Sequence, residues 1–142
     1  MKVLLTGSTG YIGKRLLQNL SDNGHDVTCF VRSLERLIVP VQTNAKVVGH
    51  EIDLLKPIPD HLHSLDIDVA FYLVHSMSSS IGQFMEEEAL SARNFATFIS
   101  KTNCKQIIYL SGISNSPKLS RHLQSRKNVE NILRESGKHL TV

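Results

Sequence analysis

TGSTGYIG, Thr6 to Gly13, sets glycines at Gly7, Gly10 and Gly13 between a short apolar run and an amphipathic one. The run before it, residues 2–6 (KVLLT), reads as a buried strand. Residues 11–23, with Ile12, Leu16, Leu17 and Leu20 at helical spacing, read as a helix that Gly24 ends. Strand, glycine turn and helix form the setting in which such a turn meets a phosphate. Gly7 permits the tight turn, Gly10 lets the backbone approach a pyrophosphate, and Gly13 lets the helix pack closely on the strand. The helix start adds unpaired N–H groups and the positive end of its dipole. A Walker loop needs glycine at position 8 and Ser or Thr at position 15, where the chain has Ser8 and Arg15. The expected ligand is therefore a dinucleotide, against the alternative of a turn kept only for packing.

The same alternation runs through the rest of the chain. Further strands are expected at residues 27–31 (VTCFV), 46–52, 68–74 (DVAFYLV) and 106–110 (QIIYL), with a sixth opening at 139–142 (HLTV). A short helix is expected at 34–38. A long one at 82–102 would bury Phe84, Ala89, Phe95, Phe98 and Ile99. A final helix at 119–136 carries Leu123, Val129, Ile132 and Leu133 at helical spacing and is ended by Gly137. Pro57 and Pro59 break the chain, and residues 78–80 read as a polar loop. Near-continuous apolar strands alternating with helices imply a doubly wound parallel sheet, a three-layer α/β/α Rossmann fold. Residues 1–142 form one such domain. Because the chain stops just inside a strand, it is expected to continue into a C-terminal substrate region.

Composition narrows the function. Of 142 residues, 41% are hydrophobic and 20% charged, which is globular. The net charge of +3 is not gathered into a basic block, so nucleic acid is not an expected partner. No apolar run approaches a membrane span, no signal peptide is evident, and a cytoplasmic location is expected. Cys29 and Cys104 have no metal or redox spacing and read as reduced. His61 and His63 lack an apparent third ligand, so no metal site is expected. Glu86, Glu87 and Glu88 fall early in the long helix, where acids suit the dipole. Tyr109 reads as core.

The dinucleotide's identity turns on the end of the second strand. A carboxylate there would hold a free ribose 2′-hydroxyl, but the chain has Arg32, with Arg36 a turn further on. An arginine suits a 2′-phosphate, so NADP(H) is expected in preference to NAD(H).

Taken together, the glycine turn, Arg32, Asp53-Leu54 after the third strand and YLSG at the fifth resemble the short-chain dehydrogenase/reductase superfamily. The resemblance is greatest to its atypical or extended branch of nucleotide-sugar-epimerase-like and NmrA-like proteins. FYLVHSM (71–77) and RHLQSRKNVENILRESG (121–137) are similar to one subgroup of it. The resemblance implies that Gly7, Thr9, Gly10, Tyr11, Ile12 and Gly13 wrap the pyrophosphate and that Arg32 holds the 2′-phosphate. It implies that Asp53 and Leu54 border the adenine, with Asp53 accepting from its amino group. Leu73, Val74 and His75 would line the nicotinamide-side ribose, and Ser111 would stand near the nicotinamide. The long and final helices would be candidate surfaces of a homodimer.

The superfamily's usual catalyst is a Ser or Thr with Tyr-x-x-x-Lys. Aligned on Glu130, the lysine position holds Arg126 and the tyrosine position holds His122. Arg126 can bind ribose hydroxyls. His122 titrates near neutrality and is a candidate acid or base, though a surface or helix-start histidine is the plainer reading. Ser111, with Ser114 as alternate, is the candidate proton-relay hydroxyl. Two functions follow from the resemblance. One is the cofactor domain of an oxidoreductase or epimerase-like enzyme with an unidentified small-molecule substrate. The other is a non-catalytic, NmrA-like dinucleotide sensor acting through a protein partner.

Overall fold

The structure, a computed structural model, describes the chain except residues 42–43, 76–80 and 113–119, and leaves out the side chains of residues 81 and 82. The expected polar loop at 78–80 and Ser114 lie outside the described residues. In chain order the elements are β1 (Lys2–Thr6), α1 (Tyr11–Asp22), β2 (Asp26–Val31), a 3-10 turn (Leu34–Arg36) and β3 (Val47–Glu51). A second 3-10 turn (Asp60–Ser64), β4 (Val69–Tyr72), α2 (Ile81–Ser100), β5 (Gln106–Tyr109), α3 (Arg121–Arg134) and β6 (His139–Thr141) follow. The strands form one parallel sheet in the order β3-β2-β1-β4-β5-β6. This is the doubly wound Rossmann order. The direction of winding reverses between β1 and β4, where such sheets open a crevice at their carboxyl ends.

Both faces of the sheet are apolar, which is why its strands read as continuous runs. On one face Val3, Leu5, Val27, Cys29 and Val31 pack against Leu17 and Leu20 of α1. On the other, Leu4, Ala70, Tyr72, Ile107 and Tyr109 pack against α2 and α3 through Phe95, Ile99, Val129 and Leu133. Phe84, Ala89, Phe95, Phe98 and Ile99 are all buried, as the spacing in α2 predicts. The cover is uneven. Phe71 and Ile108, paired across β4 and β5 on the α1 side, are only half-buried. Among the described residues, no helix is long and apolar enough to cross a membrane.

Several boundaries differ from expectation, among them the strand at 68–74, which is β4 at Val69–Tyr72, and the long helix at 82–102, which is α2 at Ile81–Ser100. The helix expected at 34–38 shrinks to the 3-10 turn, because Leu37 already turns extended (ψ 116°) and Val39 precedes Pro40. The turn after Pro57 and Pro59 was not anticipated. The final helix starts at Arg121, capped by the Ser120 hydroxyl, which accepts the Leu123 N–H at 3.3 Å. It stops at Arg134, so Gly137 (φ 74°) serves the turn into β6 rather than the helix end itself. The end of α1 agrees with the reading: Asn23 caps it and Gly24 follows at φ 75°.

Candidate functional site: a groove at the carboxyl ends of the strands

The glycine turn is held by contacts that leave room for nothing larger. Gly7 has φ +75°, and a Cβ there would stand 2.8 Å from the Leu73 carbonyl oxygen at the end of β4. A Cβ on Gly13 would stand 2.0 Å from the Gly7 carbonyl oxygen, so α1 sits directly on the turn. Gly10 begins the helix with no side-chain cap, and a Cβ on it would meet only the Gly7 oxygen at 3.3 Å. The N–H groups of the first helical turn therefore have no capping side chain and face an open backbone. Thr6 ties the turn to β4: its hydroxyl donates to the Phe71 carbonyl and accepts the Leu73 N–H, each at 3.2 Å.

The turn forms one wall of a groove of about 610 Å³. Gly7, Thr9 and Gly10 line it with Arg32, Asp53, Leu54, Leu73, Val74 and His75. The sequence-expected binding residues are thus brought together, apart from three on α1. Tyr11 and Ile12 lie exposed on its first turn, with the Arg15 guanidinium 3.8 Å over the Tyr11 ring. Gly13 is buried beneath the turn and does not line the groove. Arg36 joins Arg32, and neither makes an ion pair among the described residues. Asp53 Oδ1 accepts the Leu55 N–H at 3.0 Å, which fixes the carboxylate. The Asn94 side chain donates to the Leu54 carbonyl at 2.8 Å and holds that wall from α2.

The residues expected to carry chemistry separate into two places. His122 is exposed and stacks on Phe84, ring centres 4.9 Å apart. Ser111 and Arg126 instead belong to a polar cluster between α2, α3 and the ends of β4 and β5. The Tyr109 hydroxyl donates to the Arg126 carbonyl at 3.4 Å, and neighbouring Ser111 favours its ionised form. Burial pushes the Tyr109 phenol up to about 12, although the Arg126 charge opposes this. Tyr109 is core, as the sequence suggests, yet its hydroxyl reaches this cluster.

The sequence reads Glu88 only as one of three acids early in the long helix; in the structure it is 7% exposed and accepts a hydrogen bond from the buried Ser125 hydroxyl. Its Oε1 lies 3.9 Å from His75 Nδ1. Burial holds the His75 imidazole below the usual histidine range, helped by Arg126, while Glu88 and the Leu110 carbonyl pull the other way. Glu87 and Ser91 on α2, with Phe30, Val31, Ile52 and Leu55, complete the groove. A four-residue step from 87 to 91 puts Glu87 and Ser91 on one helix face, which was the available signal for them. His63 stacks on Phe98 at 5.3 Å, and no three potential metal ligands cluster among the described residues.

Residues 3–133 match the NAD dependent epimerase/dehydratase family. Among relatives, the photosystem II assembly factor Ycf39 of Synechocystis sp. is 33% identical over 66 residues, which is 46% of this chain and 20% of the relative. The factor of the same name from Guillardia theta is 27% identical over 62 residues, again 20% of its length. The structure superposes on that of MoeE5 in complex with UDP-glucose and NAD with a TM-score of 0.76 at 16% identity. The superposition covers 100% of this chain and 52% of that one. For UDP-glucose 4-epimerase from Thermotoga maritima the TM-score is 0.74 at 19% identity, covering 100% and 54%. The chain therefore spans about half the length of the solved structures whose fold it shares. With its parallel sheet, glycine turn and groove, the chain belongs to the NAD dependent epimerase/dehydratase family, on the short-chain dehydrogenase/reductase pattern.

Proposed function

We propose that the groove binds NADP(H) and that the chain is the cofactor domain of an atypical short-chain dehydrogenase/reductase. The observation that carries this reading is the placement of Arg32 and Arg36 on the groove that the glycine turn also lines. The residues fit the group. Glycine backbone and an uncapped helix start suit a pyrophosphate, and two arginines without ion-pair partners among the described residues suit a further phosphate. Gly7, Thr9, Gly10, Tyr11, Ile12 and Gly13 supply the pyrophosphate cradle, Gly13 from beneath and the others at its surface. Asp53 and Leu54 take the adenine. Leu73, Val74 and His75 take the nicotinamide-side ribose. When bound, the nicotinamide supplies hydride chemistry; the chain's own residues bind, orient and exclude water. Substrate would be held by a C-terminal region, in keeping with the half-length match to the solved structures, and the protein would work in the cytoplasm. Isothermal titration with NADPH and NADH tests the reading. NADPH should bind about ten- to a hundredfold more tightly, and Arg32→Ala should abolish the difference. Equal affinities in the parent chain refute the phosphate preference.

A second reading has its own support. On the resemblance, Arg126 and His122 would take the positions of the superfamily's lysine and tyrosine, and His122 stacks on Phe84. A sensor needs the cofactor groove but not the catalytic pair. Turnover of carbonyls, quinones or sugar nucleotides by a chain extended beyond Val142 favours the enzyme; dinucleotide-dependent capture of a protein partner without turnover favours the sensor.

A further inference from the structure

Burying a carboxyl group inside a helix–helix contact is costly unless it is paired, and an alanine or glutamine would fill the position at less cost. Glu88 is buried there nonetheless, with Ser125 on one oxygen and the His75 ring near the other. We propose that Glu88 is the positioning residue for His75, and that His75 is the groove's hydroxyl-binding and proton-handling group, taking a ribose hydroxyl of the bound dinucleotide. The proposal rests on the cofactor reading above and goes further by assigning a role to a buried network that reading does not use.

The geometry supports it from each side of the ring. His75 is the one histidine among the residues lining the groove, whereas Glu88 does not line it. A proton on His75 Nδ1 faces Glu88 Oε1, 3.9 Å away. In the neutral ring this leaves the second nitrogen as an acceptor for a ligand O–H. Among the described residues, the charged and titratable groups around the ring are Glu88 from α2, Arg126 from α3 and Tyr109 from β5, whose ring centre lies 6.2 Å away. Glu87 of α2 lines the same groove. Burial disfavours the charged ring, Arg126 adds to that effect and Glu88 opposes it. Protonation makes both nitrogens donors, draws the ring to Glu88 and removes the acceptor. A hydroxyl that donates to His75 is therefore bound above the histidine's pKa and released below it.

The 142-residue chain provides the test. The His75 ring signals, assigned by their loss in His75→Asn, are followed by NMR from pH 4.5 to 8 in the parent chain and in Glu88→Gln. NADPH affinity is measured over the same range. Removing the one carboxyl that favours the charged ring should move the His75 titration to lower pH. Glu88→Asp should restore part of the shift. His75→Asn should weaken NADPH binding about fivefold at pH 7.5 and flatten the part of the pH dependence that the parent has and the variant lacks. Titration of the 2′-phosphate is common to both chains and cancels in the difference. An unchanged His75 titration in Glu88→Gln overturns the positioning role. Undiminished NADPH binding by a folded His75→Asn overturns the ligand role and leaves the cofactor reading standing. Failure of the parent chain to bind any dinucleotide overturns both.

Discussion

Gly13 and Gly24 both lie at the ends of α1, yet the structure asks different things of them. A methyl at Gly13 would collide with backbone, 2.0 Å from the Gly7 oxygen, and backbone cannot swing aside as a side chain does. A methyl at Gly24 meets nothing within 4 Å and carries only the strain of its φ of +75°. Gly13→Ala should therefore destabilise the chain by about 3 kcal/mol and abolish dinucleotide binding. Gly24→Ala should cost about 1 kcal/mol and leave binding intact. Thermal denaturation with and without NADPH checks both, and equal losses would mean that the turn is not packed as described. Spacing alone reveals Gly7, Gly10 and Gly13, because a phosphate turn leaves its mark in contiguous residues. Glu88 shows the opposite case. Next to Glu86 and Glu87 it reads as one of three acids suited to the helix dipole, and only the arrival of α3, with Ser125, gives it a buried partner.

At the level of elements, the strand pattern was readable because both faces of the sheet are covered, so each strand is a block of apolar residues. Where the blocks end was less readable. Residues 68–74 look like one strand, but β4 stops at Tyr72 because the next N–H, on Leu73, goes to the Thr6 hydroxyl and leaves the ladder. That hydroxyl decides where the groove wall begins. Thr6→Val keeps the shape and removes both hydrogen bonds, leaving the Leu73 N–H without a partner. The expected cost is about 2 kcal/mol in stability, read from urea denaturation, with a weaker NADPH affinity because Leu73 and Val74 lose their anchor. A variant as stable and as tight-binding as the parent would show the clamp to be idle. The His75–Glu88–Ser125 cluster draws on three elements, and no local period in sequence could announce it.

Across the whole molecule, the uneven cover of the sheet has a physical consequence. Phe71 and Ile108 stand side by side, half-buried, on the α1 face of the sheet, Phe71 packing only partly against the α1 cluster. The native chain should bind an apolar fluorescent dye there, and Phe71→Ser should reduce the signal severalfold without lowering the melting temperature by more than a few degrees. Unchanged fluorescence would place the dye elsewhere. The order of the sheet also bears on synthesis. The Thr6 clamp reaches partners 65 and 67 residues further along the chain, and β1 pairs with both β2 and β4. As the ribosome extends the polypeptide, TGSTGYIG emerges first, but its opposite wall is made much later. A nascent chain halted after β3 carries the whole glycine motif and still lacks two walls of its groove, which arrive with β4, half-way along the chain, and then with Glu87 and Ser91 of α2.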